Sequence, residues 1–269
     1  MMRVSPGGTT AVVQARMTSS RLPGKVLMPL AGRPMILRQL ERMARSTTLD
    51  SIIVATSTDP SDDELVSTVS RAGYAVERGA LSDVLARYIQ VIEKYEPDVV
   101  VRITADCPLI DPGVIDYVVR SFRAIDADYV SNTMEPTFPD GMDVEVIRPE
   151  ALRIVHEQST DSHEREHVTL GVYRHPETFT IHNVVDPRGR DKSSLRWTVD
   201  NQDDYKFVSD VYRQMSKVKR DFDYEDILQF LSRHPEITRT ISDAQRNAAL
   251  NGLDTGVMHH SYESDSWHT

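Results

Sequence analysis

The chain has 269 residues, of which 27% are charged and 39% hydrophobic, and its formal net charge at pH 7 is −10. This acidic balance argues against general binding to nucleic acids or anionic membranes, and no apolar run reaches the roughly 18 residues that a membrane-spanning helix needs. With Cys107 as its single cysteine and no signal-peptide pattern at the N-terminus, the chain is expected to be a soluble protein of the reducing cytoplasm.

The first half of the sequence alternates short apolar runs with helical patterns. Strands are predicted at TAVVQA (10–15), SIIVATS (51–57), YAVERG (74–79), DVVVRIT (98–104) and DYVSN (128–132). Helices are predicted at PMILRQLERMARS (34–46), DDELVSTVSRAG (62–73), SDVLARYIQVIEKYE (82–96) and PGVIDYVVRSFRAI (112–125). The first helix should bury one face, made of Ile36, Leu37, Leu40, Met43 and Ala44.

This alternation predicts an α/β fold of the Rossmann-like kind. Continuous apolar strands separated by helices are typical of a parallel sheet that is covered on both faces. Ligands of such folds bind beyond the carboxyl ends of the strands. The loops after TAVVQA and DVVVRIT are therefore the predicted site.

The pattern changes after Asn132. MDVEVI (142–147) alternates apolar and acidic residues, and with TFTIHNVV (178–185) and LRWTV (195–199) it predicts a small mixed or antiparallel extension of the sheet. Helices follow at DDYKFVSDVYRQMSK (203–217) and YEDILQFLSRHPE (224–236). We predict one domain over residues 1–241, with 133–194 as an insertion for acceptor binding or dimerisation, and a flexible polar tail over 242–269.

The loop after the first strand, QARMTSSRLPGK (14–25), concentrates positive charge in an acidic chain. Arg16, Arg21 and Lys25 accompany small hydroxyl residues and Gly24. Backbone N–H groups in such a turn, together with guanidinium and ammonium groups, suit a polyphosphate. The alternative is a solvated basic loop, but its position at the carboxyl end of the first strand favours a binding role.

Two acidic residues each follow an apolar segment directly. Asp106 comes after DVVVRIT, and Asp200 ends LRWTVD. Mg²⁺ in phosphate chemistry commonly takes one or two carboxylates with waters and phosphate oxygens, so the pair is a candidate metal site. The alternative for Asp200 is an N-cap of the next helix, whereas Asp111 fits the N-cap before Pro112 better than Asp106 does. Cys107 is interpreted as a small buried side chain.

The segment DSHEREHVTLGVY (161–173) contains the H-E-x-x-H pattern of zinc proteases, at His163, Glu164 and His167. Asp161 and Glu164 resemble a capping box, which would put His163 in the frayed first turn of its helix. Both intervening residues are charged, and the H-x-x-G-x-x-H continuation is absent. We interpret the match as coincidental.

Several longer strings resemble the SpsF-type cytidylyltransferase family. They are AVVQARMTSSRLPGKVLMPLAGRPMI, VATSTDPSDD, VRITADCPLIDP, DYVSNT, TFPDGMDVEV, EREHVT and LRWTVDNQDDY. The family is related to the enzymes that make CMP-Kdo and CMP-sialic acids. The resemblance implies the nucleotide-diphospho-sugar transferase fold and transfer of CMP from CTP to an acceptor oxygen, with Mg²⁺ as cofactor and release of pyrophosphate. It also implies a homodimer.

Carried over residue by residue, the resemblance assigns roles to Ala15, Arg16, Arg21, Lys25, Asp106 and Asp200, and the other candidates come from their positions in the sequence. The predicted catalytic residues are Arg21, Lys25, Asp106 and Asp200, and the predicted metal ligands are Asp106 and Asp200. The predicted nucleotide-binding residues are Ala15, Arg16, Met17, Arg21, Lys25, Arg78, Asp83, Thr104 and Ala105. The predicted substrate-binding residues are Asp143, Glu145, Arg165, Glu166, His167 and Arg196.

Some of these assignments leave alternatives open. Arg78 and Asp83 are candidates for contact with the base, by position only. EREHVT could hold an anionic group of the acceptor or form a dimer interface, and Asp143 and Glu145 could face the acceptor or water. Asn201 with Gln202 replaces the Thr-Pro that relatives commonly carry, which changes the turn but keeps the acid.

The predicted reaction is therefore Mg²⁺-dependent cytidylyl transfer to a small-molecule acceptor, a sugar acid or a small phosphonate or phosphate. A nucleotide-sugar-dependent glycosyltransferase is the nearest rival, but it would require a D-x-D motif where this chain has Asp-Cys-Pro. A non-catalytic nucleotide-binding subunit is a more remote rival. The sequence does not identify the acceptor.

Overall fold

The computed structural model describes residues 6–240 and 258–259. Its ten strands are β1 (Thr9–Gln14), β2 (Pro29–Leu30), β3 (Arg33–Pro34), β4 (Ser51–Ser57), β5 (Ala75–Gly79), β6 (Val99–Thr104), β7 (Tyr129–Ser131), β8 (Glu145–Ile147), β9 (Ile181–Asn183) and β10 (Met258–His259). Eight of them form one sheet in the order β10-β9-β7-β8-β6-β1-β4-β5, and β2 pairs with β3. β8 runs antiparallel to β6 and β7, and the other pairs of the large sheet are parallel. The predicted α/β fold with a mostly parallel sheet and a mixed extension is confirmed.

Helices connect the strands; six of those described lie where the sequence predicts them, and the helix Pro149–Gln158 has no counterpart among the predictions. They are α1 (Met35–Met43), α2 (Asp63–Arg71), α3 (Val84–Tyr95), α4 (Pro112–Ala124), α5 (Pro149–Gln158), α6 (Ser162–Glu166), α7 (Leu170–Arg174), α8 (Gln202–Val218) and α9 (Tyr224–Arg233). Asp83 caps α3 and Asp111 caps α4 through backbone N–H groups of the first turn. Gly73, after α2, has a φ of 88°, the left-handed conformation typical of a helix C-terminus.

The central strands are buried on both faces. In β1, Val12 packs into one hydrophobic cluster, while Ala11 and Val13 pack into another. Because successive side chains of a strand point to opposite faces, the two clusters lie on the two sides of the sheet. On α1, the predicted core residues Ile36 and Leu40 are completely buried.

Two predictions for the second half of the chain are wrong. LRWTV forms no strand, because residues 195–199 make only isolated bridges, between Asp140 and Arg196 and between Leu195 and Thr240. The last three residues of MDVEVI form the predicted antiparallel strand as β8, but Glu145 is buried and faces neither water nor an acceptor. Alternation fails there because β8 lies inside the sheet, between β6 and β7, and both its faces are covered.

The remaining predictions on organisation concern the tail and membranes. Of residues 242–269, only the β10 pair is described, so the flexible tail lies outside the described residues; the single domain over 1–241 stays a prediction. Among the helices of the described part, none has the length and apolar composition to cross a bilayer.

Candidate active site

The basic loop 15–25 leaves β1 at the carboxyl edge of the sheet and folds back on itself. The N–H of Gly24 donates to the carbonyl of Met17 at 2.9 Å, and the N–H of Met17 donates to Asp62 at 2.7 Å. Gly24 has a φ of 72°, a conformation that other residues adopt only under strain. This turn fixes Lys25 at the start of a 3-10 turn, Lys25–Leu27.

Lys25 joins the two acids that the sequence singles out. Its Nζ lies 3.3 Å from Oδ2 of Asp106, 3.2 Å from Oδ1 of Asp200 and 2.7 Å from the carbonyl oxygen of Val199. Two carboxylates that are distant in the chain thus converge on one buried ammonium group.

Residues 195–200 bring Asp200 to this position without forming a strand. The N–H of Val199 donates to the carbonyl of Asp106 at 2.8 Å, and the Thr198 hydroxyl donates to the same oxygen at 3.2 Å. Asn201, and not Asp200, caps α8 through the N–H groups of Asp203 and Asp204. The N-cap alternative for Asp200 is therefore wrong, and its carboxylate is free to face the site.

Arginines hold Asp200 from two sides. Arg21 contacts its Oδ1 at 2.9 Å, and Arg196 contacts its Oδ2 at 2.9 Å. Arg196 is buried and also pairs with Asp140 at 2.7 Å and with Asp204 at 3.0 Å. Because a bound guanidinium fixes the plane of a carboxylate, Arg196 orients Asp200 from behind.

These contacts keep Lys25 and Asp200 charged near neutral pH. Burial alone would lower the pKa of Lys25, but the charges of Asp106 and Asp200 outweigh it, and its pKa lies above the ordinary value of 10.5. Burial would likewise raise the pKa of Asp200, but the Lys25 charge and the Arg196 hydrogen bonds hold that pKa below the ordinary 3.8.

A cavity of about 360 Å³ opens above this cluster. Its lining residues are Gln14, Ala15, Arg16, Ser19, Ser20, Arg21, Lys25, Val26, Val84, Arg87, Thr104, Ala105, Asp106, Glu166, His167 and Asp200. Cationic side chains and loop N–H groups suit a polyphosphate. Carboxylate oxygens are the ligands that Mg²⁺ prefers, with phosphate and water oxygens completing the shell, so Asp106 and Asp200 fit a Mg²⁺ ion.

Ten of the predicted site residues line this cavity. They are Ala15, Arg16, Arg21, Lys25, Thr104, Ala105, Asp106, Glu166, His167 and Asp200. Met17, Arg78, Asp83, Asp143, Glu145, Arg165 and Arg196 are not among the lining residues.

The two candidates for base contact are engaged elsewhere. Arg78 donates to the carbonyls of Ser57 and Asp59 at 2.8 and 3.0 Å, and its guanidinium lies 2.8 Å from Asp63. Asp83 caps α3 and pairs with Arg165 at 2.6 Å. This geometry gives no support to a direct nucleotide contact by Arg78 or Asp83.

Of the residues predicted to bind the acceptor, Glu166 and His167 line the cavity, whereas Arg165 and Arg196 do not. Arg165 is occupied by Asp83 and by the carbonyls of Ser159 and His156, and Arg196 acts on Asp200. The prediction that these two arginines bind substrate directly is not supported by their positions.

Glu145 is the clearest correction. It is buried against Arg102, with hydrogen bonds from the hydroxyls of Tyr129 at 2.6 Å, Thr169 at 2.9 Å and Tyr173. A carboxylate so enclosed cannot reach an acceptor, and we assign it a structural role. Asp143 is half-buried and lies outside the cavity lining.

The H-E-x-x-H segment does not form a metal site. Asp161 caps the five-residue helix α6 by accepting the N–H of His163 at 2.8 Å, and His167 lies at the other end of the helix. Glu164 pairs with Arg174 at 3.0 Å. Within residues 6–240, no three His, Cys, Asp or Glu side chains gather as the protein ligands of a zinc site would. The coincidental interpretation agrees with this geometry.

Sequence reasoning missed six lining residues, of which Arg87 is the most informative. The six are Gln14, Ser19, Ser20, Val26, Val84 and Arg87. Arg87 lies three residues after Val84 on α3, so the two share one helix face. That spacing was the available signal, but it is also typical of a core helix.

Comparisons with known proteins agree with this geometry. The sequence profile described as cytidylyltransferase matches residues 10–252. The spore coat polysaccharide biosynthesis protein SpsF of Bacillus subtilis is 30% identical over 232 residues, which cover 84% of this chain and 94% of that protein. A 3-deoxy-manno-octulosonate cytidylyltransferase of Hydrogenovibrio crunogenus is 31% identical over 152 residues, covering 55% of this chain and 60% of that protein. The solved structure of a cytidylyltransferase from Leptospira borgpetersenii aligns with a TM-score of 0.80 and 27% identity, over 90% of this chain and 100% of that one.

Proposed function

This chain belongs to the cytidylyltransferase family, and from that premise we propose that it transfers CMP from CTP to an acceptor oxygen and releases pyrophosphate, with Mg²⁺ as cofactor. The supporting observation is the convergence of Asp106 and Asp200 on Lys25 beneath a basic loop. The loop suits a triphosphate, and the carboxylates suit the cation that accompanies it.

The residues of the site would act mainly by positioning and by electrostatic stabilisation. Arg21 and Lys25 bind the phosphates. The acceptor oxygen attacks the α-phosphorus in line, the bond from that phosphorus to the bridging oxygen breaks, and pyrophosphate leaves as the acceptor loses its proton. Negative charge accumulates on the leaving group, where the ammonium of Lys25 and the guanidinium of Arg21 stabilise it. Asp106 and Asp200 would hold Mg²⁺, which would supply further neutralisation of phosphate charge.

For the acceptor we propose a sugar acid. The relative from Hydrogenovibrio crunogenus is a cytidylyltransferase of 3-deoxy-manno-octulosonate, which is a sugar acid. Glu166 and His167 line the cavity, and burial lowers the pKa of His167. A neutral imidazole suits a hydrogen bond with a hydroxyl group of such an acceptor. The homodimer and the cytoplasmic location stay predictions.

The test is pyrophosphate release with each of the four nucleoside triphosphates, Mg²⁺ and a panel of sugar acids and small phosphonates. We expect release with CTP and at least one acceptor, together with a CMP-linked product. A glycosylated product made from a nucleotide-sugar, with no pyrophosphate from CTP, would instead indicate a glycosyltransferase and would overturn the proposal.

A further inference from the structure

Arg87 is a buried arginine in which two of the three guanidinium nitrogens have no hydrogen-bond partner among the described residues. Its side chain lines the cavity, and the residue is only 2% exposed. Among the described residues, neither its Nε nor its Nη1 has a hydrogen-bond partner. Buried donors are rarely left unpaired, and an unpaired buried charge is costly. Such a group indicates a ligand.

The position of the guanidinium is constrained by its neighbours. A Cβ on Gly79, at the end of β5, would lie 2.7 Å from Cγ of Arg87, so the side chain packs closely on that strand end. Of the carboxylates whose charge acts on Arg87, Asp62 has a larger effect than Asp83. Asp62 is committed to Met17 at 2.7 Å and to Thr56 at 2.9 Å, and it does not bond Arg87.

Arg87 and Lys25 lie at different ends of the cavity. Lys25 bonds Asp106, which follows β6, whereas Cγ of Arg87 packs on Gly79 at the end of β5, and β1 and β4 lie between β6 and β5 in the sheet. A triphosphate bound by Arg21 and Lys25 would therefore direct the nucleoside toward Arg87. Val84, one helical turn before Arg87, adds an apolar contact for a ring.

We propose that Arg87 reads the pyrimidine ring and selects CTP over UTP. This inference rests on the proposed function. Cytosine presents two adjacent acceptors, O2 and N3, which match the N–H donors of a guanidinium. Uracil carries a hydrogen on N3, so a donor would face a donor and one N–H of Arg87 would stay unpaired. Buried groups left unpaired by the wrong ligand are an effective source of discrimination.

The experiment compares Arg87→Met and Arg87→Lys with the unchanged protein, using calorimetric titration of CTP, UTP and inorganic tripolyphosphate. Loss of hydrogen bonds to a charged group should reduce the preference for CTP over UTP by roughly 10- to 100-fold in Arg87→Met. Tripolyphosphate affinity should change less than about twofold in either variant, because the phosphate end is untouched. Arg87→Lys should restore CTP affinity only in part, since an ammonium group cannot form a paired fork.

A matched control separates ligand binding from folding. Arg42 is also buried, but it donates to the carbonyls of Ile110 and Phe222 at 2.8 and 2.9 Å. Arg42→Met should lower the Tm and leave the CTP to UTP ratio unchanged, whereas Arg87→Met should not lower the Tm of the unliganded protein.

Equal losses of CTP, UTP and tripolyphosphate affinity in Arg87→Met would overturn the inference and indicate a phosphate contact, and an unchanged CTP to UTP ratio would overturn it as well. If the unchanged protein binds no CTP at all, the proposed function fails first.

Discussion

Lys25 is the residue on which the charge balance of the site depends. It is buried between two carboxylates, and its ammonium bonds both of them as well as a backbone carbonyl. Neither carboxylate is therefore an uncompensated charge in the folded chain. Each residue of the cluster can be tested separately.

We expect Asp106→Asn to lower kcat by at least about 10²-fold, as expected for removal of one preorganised stabilising group. The amide keeps the size of the side chain but loses the negative charge that would hold Mg²⁺. Steady-state pyrophosphate release at saturating CTP measures the effect. Asp210→Asn, on α8 and outside the cavity lining, is the control and should retain full activity. A kcat within twofold of the unchanged protein would refute the role of Asp106.

Glu145 gives a prediction on stability. Burial raises its pKa, but the charge of Arg102 and the tyrosine hydroxyls outweigh burial and hold the pKa below the ordinary 4.5. Glu145→Gln leaves Arg102 buried without its partner, which should cost about 3–5 kcal/mol in the free energy of unfolding. Urea denaturation measures this cost. Glu150→Gln, at an exposed pair with Arg153, should change stability by less than about 1 kcal/mol.

The same lowered pKa values predict how stability depends on pH. Asp200 and Glu145 both have pKa values below their ordinary 3.8 and 4.5. Their contribution to the free energy of unfolding is complete above those ordinary pKa values. It is lost as the pH falls through the lower pKa values of the folded protein. Lys25 has a raised pKa, so its contribution is lost only above pH 10.5. Denaturation measured from pH 7 to pH 2 should show the free energy of unfolding falling at acid pH, and the fall should be smaller in Glu145→Gln.

At the scale of elements, the turn before β8 positions the segment that ends at Asp200. Gly141 has a φ of 106°, and a Cβ there would lie 2.6 Å from the N atom of Thr198 and 2.7 Å from the carbonyl carbon of Trp197. The turn and residues 197–200 therefore pack backbone against backbone. Only glycine permits this approach.

Gly141→Ala should displace residues 197–200 and lower kcat by at least about tenfold, because small misplacements of catalytic groups are costly. Gly189→Ala is the matched control. Gly189 also has a positive φ, of 67°, but nothing lies within 4 Å of its Cβ position. Both variants carry backbone strain of about 1–3 kcal/mol, so a loss of kcat confined to Gly141→Ala separates the steric contact from strain. Equal kcat values would contradict the positioning role.

Sequence patterns predicted elements well where local periodicity decides the structure. The buried strands β1, β4 and β6 and the helices α1, α3 and α4 lie where apolar runs and caps indicated. The strand predicted at LRWTV is wrong because backbone hydrogen bonds of this segment go to Asp106 and Asp140. These partners are remote in sequence, and no local pattern reveals them. The prediction that Glu145 faces the acceptor or water is wrong because alternation indicates an exposed face only where one face of the strand is solvated.

The candidate site was predicted in part for a similar reason. Strand ends and a basic loop indicated Lys25, Asp106 and Asp200. The meeting of these residues on one ammonium, and the unused donors of Arg87, depend on how α3 and residues 195–200 pack on the sheet. Such packing appears only in three dimensions.

At the scale of the whole molecule, the chain is acidic overall but presents a cationic cavity. We expect CTP with Mg²⁺ at about 100 times its Kd to add roughly 2.7 kcal/mol of stability. For a protein of this size each kcal/mol raises the Tm by about 2–4 °C. Differential scanning fluorimetry measures the shift, and Lys25→Ala should remove most of it. A shift of equal size in Lys25→Ala would contradict phosphate binding by this loop.

Because the ammonium of Lys25 already pairs with both Asp106 and Asp200, the protein carries its own cation at the place where a divalent cation would bind. A free cation would have to displace the Lys25 ammonium without providing new hydrogen-bond acceptors for it. A bound triphosphate would give the ammonium new oxygen partners, and Asp106 and Asp200 would then be available to hold the accompanying cation. We therefore expect the nucleotide and Mg²⁺ to bind together. Mg²⁺ alone should not bind at concentrations at which the Mg²⁺–nucleotide complex binds.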